Sequence, residues 1–236
     1  MSELILGIDT STRVCVGLAR DDQVLARRAV GDSRSHAELL MPTIAAVLKA
    51  AKVAVADLDA IAVGMGPGPF TGLRVGVATA ETMAEVGGLP VYHVCSLDAL
   101  AVAWAETQPA GDFVVITDAR RHELYWAVYD RYGVRTDGPH VSAPGAVPRL
   151  PCVGPGVLLH PAAGKGMDSF LALKLGVRVD GLASEWPSLE EVQDIVGVDA
   201  GVLAAYAPLL PDVGGEPMYL RHADATESHT VKSVLP

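Results

Sequence analysis

The order of the apolar segments limits the fold of this sequence more than any other feature. Three extended segments come first, separated by short polar turns: Leu4–Ile8, Val14–Ala19 and Gln23–Val30. From residue 35 to residue 106, helical and extended segments alternate. A meander followed by this alternation predicts a mixed sheet that is covered by helices.

The first helix is predicted from Ser35 onward, because Leu40, Ile44, Val47 and their neighbours recur with helical periodicity behind a capping residue. Pro42 falls inside this pattern and predicts either a kink or a later helix start. The pattern continues with a strand at Ala60–Met65, a loop at Gly66–Phe70, a helix at Thr71–Val86, a strand at Val91–Val94 and a helix at Ser96–Glu106.

A second lobe is indicated where the opening pattern restarts after Gln108–Gly111. Two apolar runs, Phe113–Thr117 and Leu124–Tyr129, flank the turn Asp118–Arg120, much as the first two runs flank Asp9. The strands within 140–151 are uncertain, and a helix at Leu189–Ala207 is weakened by two internal glycines. We predict an N-terminal lobe at 1–108, a smaller C-terminal lobe at 109–220 and a polar tail at 221–236.

The charge of the chain argues against nucleic-acid binding by this protein alone. Its 236 residues are enough to bury a core, and 18 Lys and Arg against 28 Asp and Glu give a net charge of −10. Such a field repels a phosphate backbone, so a partner should carry most of any RNA contact. Cys15, Cys95 and Cys152 lack CxxC spacing and predict buried, reduced thiols in a cytoplasmic protein with no membrane segment.

A degenerate phosphate cradle is predicted at the first turn. An aspartate that ends a strand, followed by small hydroxyl residues, can hold a metal–phosphate group. Glycine normally lets the backbone approach the phosphate, but Thr10 and Ser11 stand there. The alternative is that Asp9 and Thr12 hydrogen-bond their own turn. The candidate nucleotide or phosphate residues are Asp9, Thr10, Ser11, Thr12, Gly66, Gly68, Thr71 and Asp118.

The segment Gly64–Gly76 is rich in glycine and joins a strand to a helix. A helix N-terminus behind such a loop favours anions, whereas the same glycines also allow a helix to pack tightly on a sheet. Both interpretations remain open. The segment is not a Walker A loop, because no Gly-Lys-Ser/Thr follows it.

Five motifs occur in an order that resembles the TsaB (YeaZ) family over nearly the whole chain. They are Gly7-Ile8-Asp9-Thr10-Ser11, Arg34-Ser35-His36-Ala37-Glu38, Gly66-Pro67-Gly68-Pro69-Phe70-Thr71-Gly72-Leu73-Arg74, Asp118-Ala119-Arg120-Arg121 with Glu123-Leu124-Tyr125-Trp126-Ala127, and Glu216-Pro217-Met218-Tyr219-Leu220-Arg221. Pro69 departs from the serine that is usual in the family and removes a hydroxyl.

The resemblance implies an α/β fold of the actin/Hsp70/sugar-kinase type, with duplicated lobes, mixed sheets and a degenerate second lobe. It also implies a non-catalytic partner of the threonylcarbamoyl transferase TsaD, acting with the ATPase TsaE to modify adenosine 37 of tRNAs that read ANN codons. We expect a homodimer when the chain is alone, and tRNA contact only through the complex. No cofactor is expected in this chain, while ATP and a metal ion are expected in the partner subunits.

No catalytic or metal-binding residue is predicted in this chain. The catalytic paralogue binds a metal through His-x-x-x-His, and no two of the seven histidines here have that spacing. His36 is expected to be a surface or capping residue. The alternative function is a stand-alone phosphotransferase or metallopeptidase-like enzyme of the same fold.

The helix at Thr71–Val86 has two apolar sides separated by a narrow polar stripe. A surface helix needs one apolar side, so the second is predicted to meet a partner helix, next to the helix after Ser35. The alternative is a helix buried within one chain. The predicted partner interface is Leu39, Thr43, Gly72, Val75, Gly76, Thr79, Ala80 and Met83.

Overall fold

Two mixed β-sheets form the framework of the protein. The computed structural model describes residues 2–30, 36–159 and 197–221. Ser35 as a helix cap, the first part of the helix predicted at Leu189–Ala207 and the tail beyond Arg221 lie outside these residues.

The first sheet has five strands in the order β3-β2-β1-β4-β5. Its strands are β1 (Leu4–Asp9), β2 (Val14–Arg20), β3 (Gln23–Val30), β4 (Ala60–Gly64) and β5 (Val91–Val94). The β1, β2 and β3 strands form an antiparallel meander, and β4 and β5 run parallel to β1 on its other side. The predicted meander and mixed sheet are confirmed.

The second sheet has four strands in the order β8-β7-β6-β9. Its strands are β6 (Phe113–Asp118), β7 (Leu124–Tyr129), β8 (Arg135–Ser142) and β9 (Cys152–Val153). An antiparallel meander again has one parallel strand on its far side, which repeats the first four positions of the first sheet. The predicted repetition of a mixed sheet in the second half of the chain is confirmed.

Five α-helices lie in the described ranges: α1 (His36–Ala51), α2 (Phe70–Gly87), α3 (Ser96–Ala105), α4 (Gly156–Leu159) and α5 (Ala200–Tyr206). α1 begins six residues before Pro42 and continues past it, so the later helix start is not observed. None of the helices in the described ranges is both long and apolar enough to cross a membrane.

The two faces of the first sheet are covered by different helices. Leu4, Leu6 and Ile8 of β1 pack with α1 and α2 in one apolar cluster. Ile5, on the opposite face, packs with α3 and α5 in a second cluster that continues onto the second sheet. The alternation of side chains along a strand produces this division, and it places the core on both sides of β1.

A pair of glycines lets α5 lie directly on the first sheet. Gly7 of β1 and Gly17 of β2 stand opposite each other in the strand register. A Cβ atom at either position would overlap the backbone at Ala200 and Gly201. The sequence analysis assigned Ala200–Tyr206 to the second lobe. In the structure this helix packs on the first sheet, because the two glycines let its backbone contact the backbone of the strands. The predicted boundary near residue 108 stays a prediction.

A buried polar cluster joins α3 to the second sheet. Asp98 of α3 is 2% exposed, and it accepts a hydrogen bond from the Tyr129 hydroxyl at 2.7 Å. The Arg135 guanidinium lies 3.1 Å from the same carboxylate oxygen. A buried charge is tolerated when it is paired and hydrogen-bonded in this way, so the cluster fixes the second sheet against α3.

The three cysteines are buried, as predicted, and none of them is in a disulfide. Burial raises the pKa of both Cys15 and Cys95 to about 12 and that of Cys152 to about 11. These groups therefore remain thiols at neutral pH, which makes them poor nucleophiles.

Gly17→Ala should destabilise the protein by about 1–3 kcal/mol or more, because α5 has to move away from the sheet. Gly111→Ala is the matched control, since nothing lies within 4 Å of the added methyl group. Denaturant unfolding monitored by circular dichroism checks this. Equal stability of the two variants would contradict the close contact between α5 and β2.

Candidate functional site

The carboxylate of Asp9 is enclosed at the centre of the first lobe. Asp9 ends β1 and is fully buried. Its Oδ1 accepts hydrogen bonds from the backbone N–H of Ser11 at 2.9 Å and from the Ser11 hydroxyl at 2.7 Å. Its Oδ2 accepts a hydrogen bond from the Ser96 hydroxyl at 2.5 Å. The aspartate is thus held by its own turn and by the first residue of α3.

Ser96 ties this carboxylate to the glycine-rich loop. The backbone N–H of Gly66 donates to the Ser96 hydroxyl at 3.1 Å, and the backbone N–H of Ser96 donates to the Gly66 carbonyl at 2.8 Å. A Cβ atom on Gly64, at the end of β4, would overlap the Asp9 carboxylate. The ends of β1 and β4 and the start of α3 therefore close around one side chain.

The glycine-rich loop and α2 pack directly on the turn after Asp9. The Thr10 hydroxyl donates to the Gly72 carbonyl at 2.8 Å. A Cβ atom on Gly68 would lie 2.6 Å from the Ser11 carbonyl oxygen, and one on Gly76 would overlap the Thr10 hydroxyl. The sequence analysis gave two interpretations of these glycines, anion binding and close packing of a helix on a sheet. The contacts seen here are those of close packing.

Pro69 immediately precedes α2 and provides no side-chain cap for the helix. Its carbonyl accepts a hydrogen bond from the Leu73 N–H at 3.1 Å, but its ring offers neither a donor nor a hydroxyl. The loop therefore lacks the polar side chain that a phosphate contact at this position would use.

His36 lies inside the lobe rather than at the surface, which corrects the sequence-based expectation. It is 6% exposed, and a Cβ atom on Gly72 would lie 3.5 Å from its Cε1. The imidazole fills the space that this glycine leaves open. A buried histidine could not be foreseen from a single polar residue at a predicted helix start.

Burial raises the pKa of Asp9 above its ordinary value. The hydrogen bonds from Ser96 and Ser11 and the charge of His36 act in the opposite direction. Desolvation dominates because the carboxylate has no exposed surface.

The remaining candidates for the phosphate cradle do not join this cluster. Thr12 is half-buried, and Thr71 is exposed on the first turn of α2. Asp118 ends β6 in the second sheet, where its carboxylate accepts a hydrogen bond from the Arg120 N–H at 2.7 Å and lies 3.4 Å from the Arg120 guanidinium. Like Asp9, it hydrogen-bonds to its own turn.

A cavity of about 650 Å³ lies elsewhere, between β2, β3, α3 and the start of α5. Its charged lining consists of Arg13, Arg27, Arg28, Glu106 and Asp199, and Arg27 forms an ion pair with Asp199. The Asp9 turn does not line this cavity. In the described ranges, no three His, Cys, Asp or Glu side chains are grouped so that they could hold a metal ion.

The eight residues predicted for a partner interface fall into two sets. Thr43, Gly72, Gly76 and Ala80 are buried within the lobe, and Leu39, Val75, Thr79 and Met83 are half-buried along the outer side of α1 and α2. The interface itself stays a prediction.

The pH dependence of stability tests the enclosure of Asp9. Because its pKa is raised in the folded chain, the folded state keeps a proton that the unfolded state has lost. The unfolding free energy of the wild type should therefore fall relative to Asp9→Asn as pH rises from about 4 through the folded-state pKa. Urea unfolding of both proteins across this window measures the difference.

Asp21→Asn is a control for this measurement, because its effect on stability should depend on pH in the opposite direction. Hydrogen bonds from the Glu3 N–H and the Ser2 hydroxyl lower the pKa of Asp21. The wild type should therefore lose stability relative to this variant as pH falls below about 4. A wild type that gains stability over Asp9→Asn with rising pH would contradict the enclosure.

The chain is similar to several known proteins. Residues 30–172, more than half of the chain, match the family described as TsaD, tRNA N6-adenosine threonylcarbamoyltransferase. An uncharacterized protein of Mycobacterium tuberculosis is 51% identical over 142 residues, which cover 59% of this chain and 64% of that protein. The Escherichia coli tRNA threonylcarbamoyladenosine biosynthesis protein TsaB is 35% identical over 128 residues, 54% of this chain and 55% of that protein.

The matched segments thus span little more than half of the length of these relatives. A solved structure of an uncharacterized Pseudomonas aeruginosa protein, described as similar to peptidase YEAZ, aligns with a TM-score of 0.59 at 29% identity, over 69% of this chain and 80% of that one. The structure of YeaZ from Pseudomonas aeruginosa aligns with a TM-score of 0.66 at 24% identity, over 92% of this chain and 100% of that one, and shows the shared fold. The chain therefore belongs to the TsaB (YeaZ) family.

Proposed function

We propose that this protein is a non-catalytic subunit of the complex that forms N6-threonylcarbamoyladenosine at position 37 of tRNAs reading ANN codons. Its partner is a TsaD-like transferase, and a TsaE-like ATPase joins them. ATP and a metal ion belong to the partner subunits. The names and identities of the TsaB relatives support the pathway.

The observation that carries the non-catalytic part of the proposal is the contact between the glycine-rich loop and the Asp9 turn. A phosphotransferase of this fold needs free backbone N–H groups and an accessible carboxylate at that turn. Here Asp9 is fully buried, and the Thr10 hydroxyl is bonded to Gly72. The groups of the turn are engaged in packing, which supports the non-catalytic proposal.

Isolated protein should show no ATPase, kinase or peptidase turnover above background. The physical reason is that Asp9 has no exposed surface from which to contact a metal or a phosphate. Assays of purified protein with Mg²⁺, Mn²⁺ and Zn²⁺ check this expectation. Metal-dependent turnover that disappears in Asp9→Ala would support the alternative of a stand-alone enzyme.

The outer side of α1 and α2 is the surface proposed to meet the partner. Val75, Thr79 and Met83 form a half-exposed stripe along α2, and Leu39 of α1 lies in the same apolar cluster as Val75 and Met83. Met41 of α1 is 53% exposed. Two neighbouring helices with an exposed apolar seam suit helix-to-helix packing with a second copy or with the TsaD-like subunit.

Arginine substitutions at adjacent positions of α2 separate folding from association. Ala80 is fully buried against the sheet, so Ala80→Arg should unfold the first lobe. Thr79→Arg should leave the chain folded but unable to associate. Ala78→Arg is the matched control, because Ala78 is exposed on the polar stripe that contains Arg74 and Glu81.

Circular dichroism measures folding, and sedimentation measures self-association and binding to the TsaD-like partner. We expect roughly a hundredfold or greater loss of affinity for Thr79→Arg if the residue lies at the centre of the interface. A folded Thr79→Arg protein that associates as well as Ala78→Arg would refute this placement of the interface.

The direct test of the pathway is reconstitution. The purified chain is combined with the TsaD-like and TsaE-like proteins of the same organism, ATP, the remaining substrates and an unmodified tRNA that reads an ANN codon. Modified adenosine should form only when this chain is present. Equal formation without it would overturn the proposal.

A further inference from the structure

A groove of about 690 Å³ lies between the β7–β8 hairpin and the segment at the end of α5. Residues 132–138 form one wall and residues 206–211 form the other, while Asp98 and Val102 of α3 lie between them. We call it the hairpin groove. The helices α3 and α5 cover the face of the first sheet opposite α1 and α2. The hairpin groove is therefore separate from the surface proposed to meet the TsaD-like partner.

Three of the most exposed large apolar side chains in the described ranges line this one groove. Leu209 is 79% exposed on one wall, and Tyr132 and Val134 are 73% and 60% exposed on the other. A single exposed apolar side chain is normal at a protein surface. Several that converge on one groove mark an interaction site.

Hydrogen bonds and close packing hold the hairpin wall in place. The Oδ1 atom of Asp130 accepts hydrogen bonds from the backbone N–H of Tyr132 at 2.8 Å and from that of Val134 at 3.0 Å. Gly133 between them has a φ angle of 82° and packs on α3, where an added Cβ atom would lie 3.1 Å from the Cβ of Ala105. The exposed side chains thus stand on an ordered turn, which lowers the entropy cost of binding a partner.

Both walls of the groove are fastened to α3. On the hairpin side, the Arg135 guanidinium lies 3.1 Å from Oδ1 of Asp98, and its Nη1 donates to the Gly138 carbonyl at 3.3 Å. On the other side, the Tyr206 hydroxyl donates to the Glu106 carboxylate. Because one helix holds both walls, the width of the groove is fixed before anything binds in it.

Carboxylates outnumber cations around the groove. Among the described residues, the charged groups that line it, or that are bonded to or next in sequence to a lining residue, are the paired Asp98 and Arg135, the cation Arg131, and the carboxylates Glu106, Asp130, Asp137 and Asp212. His140 and His93 lie beside Asp137 and Asp212 and carry charge only when protonated. With neutral histidines, the rim of an apolar groove is therefore negative.

We propose that the hairpin groove binds a basic segment of a protein partner, which inserts a large apolar side chain between the two walls. The apolar anchor packs against Leu209, Tyr132 and Val134, and flanking lysines or arginines meet the carboxylates of the rim. The same carboxylates repel the phosphates of a nucleic acid. A small molecule would bury most of its own surface in the groove, but it would leave the protruding side chains on the rim uncovered. The inference concerns a different surface from the proposed function and does not depend on it.

The probe is a short synthetic peptide with both ends blocked, in which a tryptophan and two leucines are flanked by lysines. A second peptide, with glutamate in place of every lysine, has the same apolar residues and the opposite charge. Fluorescence anisotropy of the labelled peptides, titrated with the full-length protein, measures both affinities. The lysine peptide should bind more tightly than the glutamate peptide, and its affinity should fall as salt is added.

Leu209→Ser and Tyr132→Ser remove the apolar contacts of the two walls. Each should weaken binding of the lysine peptide by roughly tenfold or more. Val55→Ser is the matched control, because Val55 is 50% exposed and does not line the groove. It should bind the peptide as the wild type does. Circular dichroism checks that all three variants are folded.

Arg131→Gln should tighten binding of the lysine peptide, because it removes a cation from the rim. We expect a gain of about two- to threefold at low salt. Lys49→Gln is the matched control, since it changes the net charge by the same amount on α1, outside the groove. A gain cannot come from loss of folding, so this variant keeps the test independent of stability.

The inference is overturned by a lysine peptide that does not bind, or by folded Leu209→Ser and Tyr132→Ser proteins that bind it as tightly as Val55→Ser. Equal gains from Arg131→Gln and Lys49→Gln would overturn it too, because the charge of the whole chain would then attract the peptide. Weaker self-association of Leu209→Ser in sedimentation would assign the groove to a second copy instead. Weaker binding of a labelled tRNA transcript by Leu209→Ser would assign it to nucleic acid, and either result would overturn the proposal.

Discussion

The enclosure of Asp9 is the constraint on which the rest of the structure depends. Its carboxylate receives Ser96 from α3 and Ser11 from its own turn, and β4 closes over it at a position where only glycine fits. Opening this turn to admit a phosphate would break the bond between Thr10 and Gly72 and lift the start of α2 from the sheet. The contacts of this turn hold β1, β4, α2 and α3 together.

Three contacts join the two lobes and keep the groups around Asp9 in position. The apolar cluster on the inner face of the first sheet continues onto the second sheet, Asp98 pairs with Arg135, and Arg221 binds the Ala119 carbonyl. The helices α1 and α2 form one outer surface of this joined structure. The proposed function concerns what binds to this surface rather than a reaction at the Asp9 turn.

The strands and helices of residues 4–129 could be predicted because their apolar periodicity and turn residues agree with the final packing. β9 has two residues and could not be detected by any periodicity. The buried state of His36 and the return of α5 to the first sheet depend on glycines at 72, 7 and 17, whose partners lie far away in the sequence. Arg221 and the β6–β7 turn meet across 102 positions. A sequence pattern can identify such residues as parts of motifs, but it does not show that they are in contact.

The central claim is that this chain supports tRNA modification without taking part in the chemistry. The most direct measurement is the rate of modified adenosine formation in the reconstituted system with Asp9→Asn in place of the wild type, at saturating concentrations of folded protein. The account predicts a rate within about twofold of the wild type, because Asp9 contacts only its own protein. A folded, fully associated Asp9→Asn protein with a rate reduced by about 100-fold or more, the effect of removing an acid–base group, would contradict it.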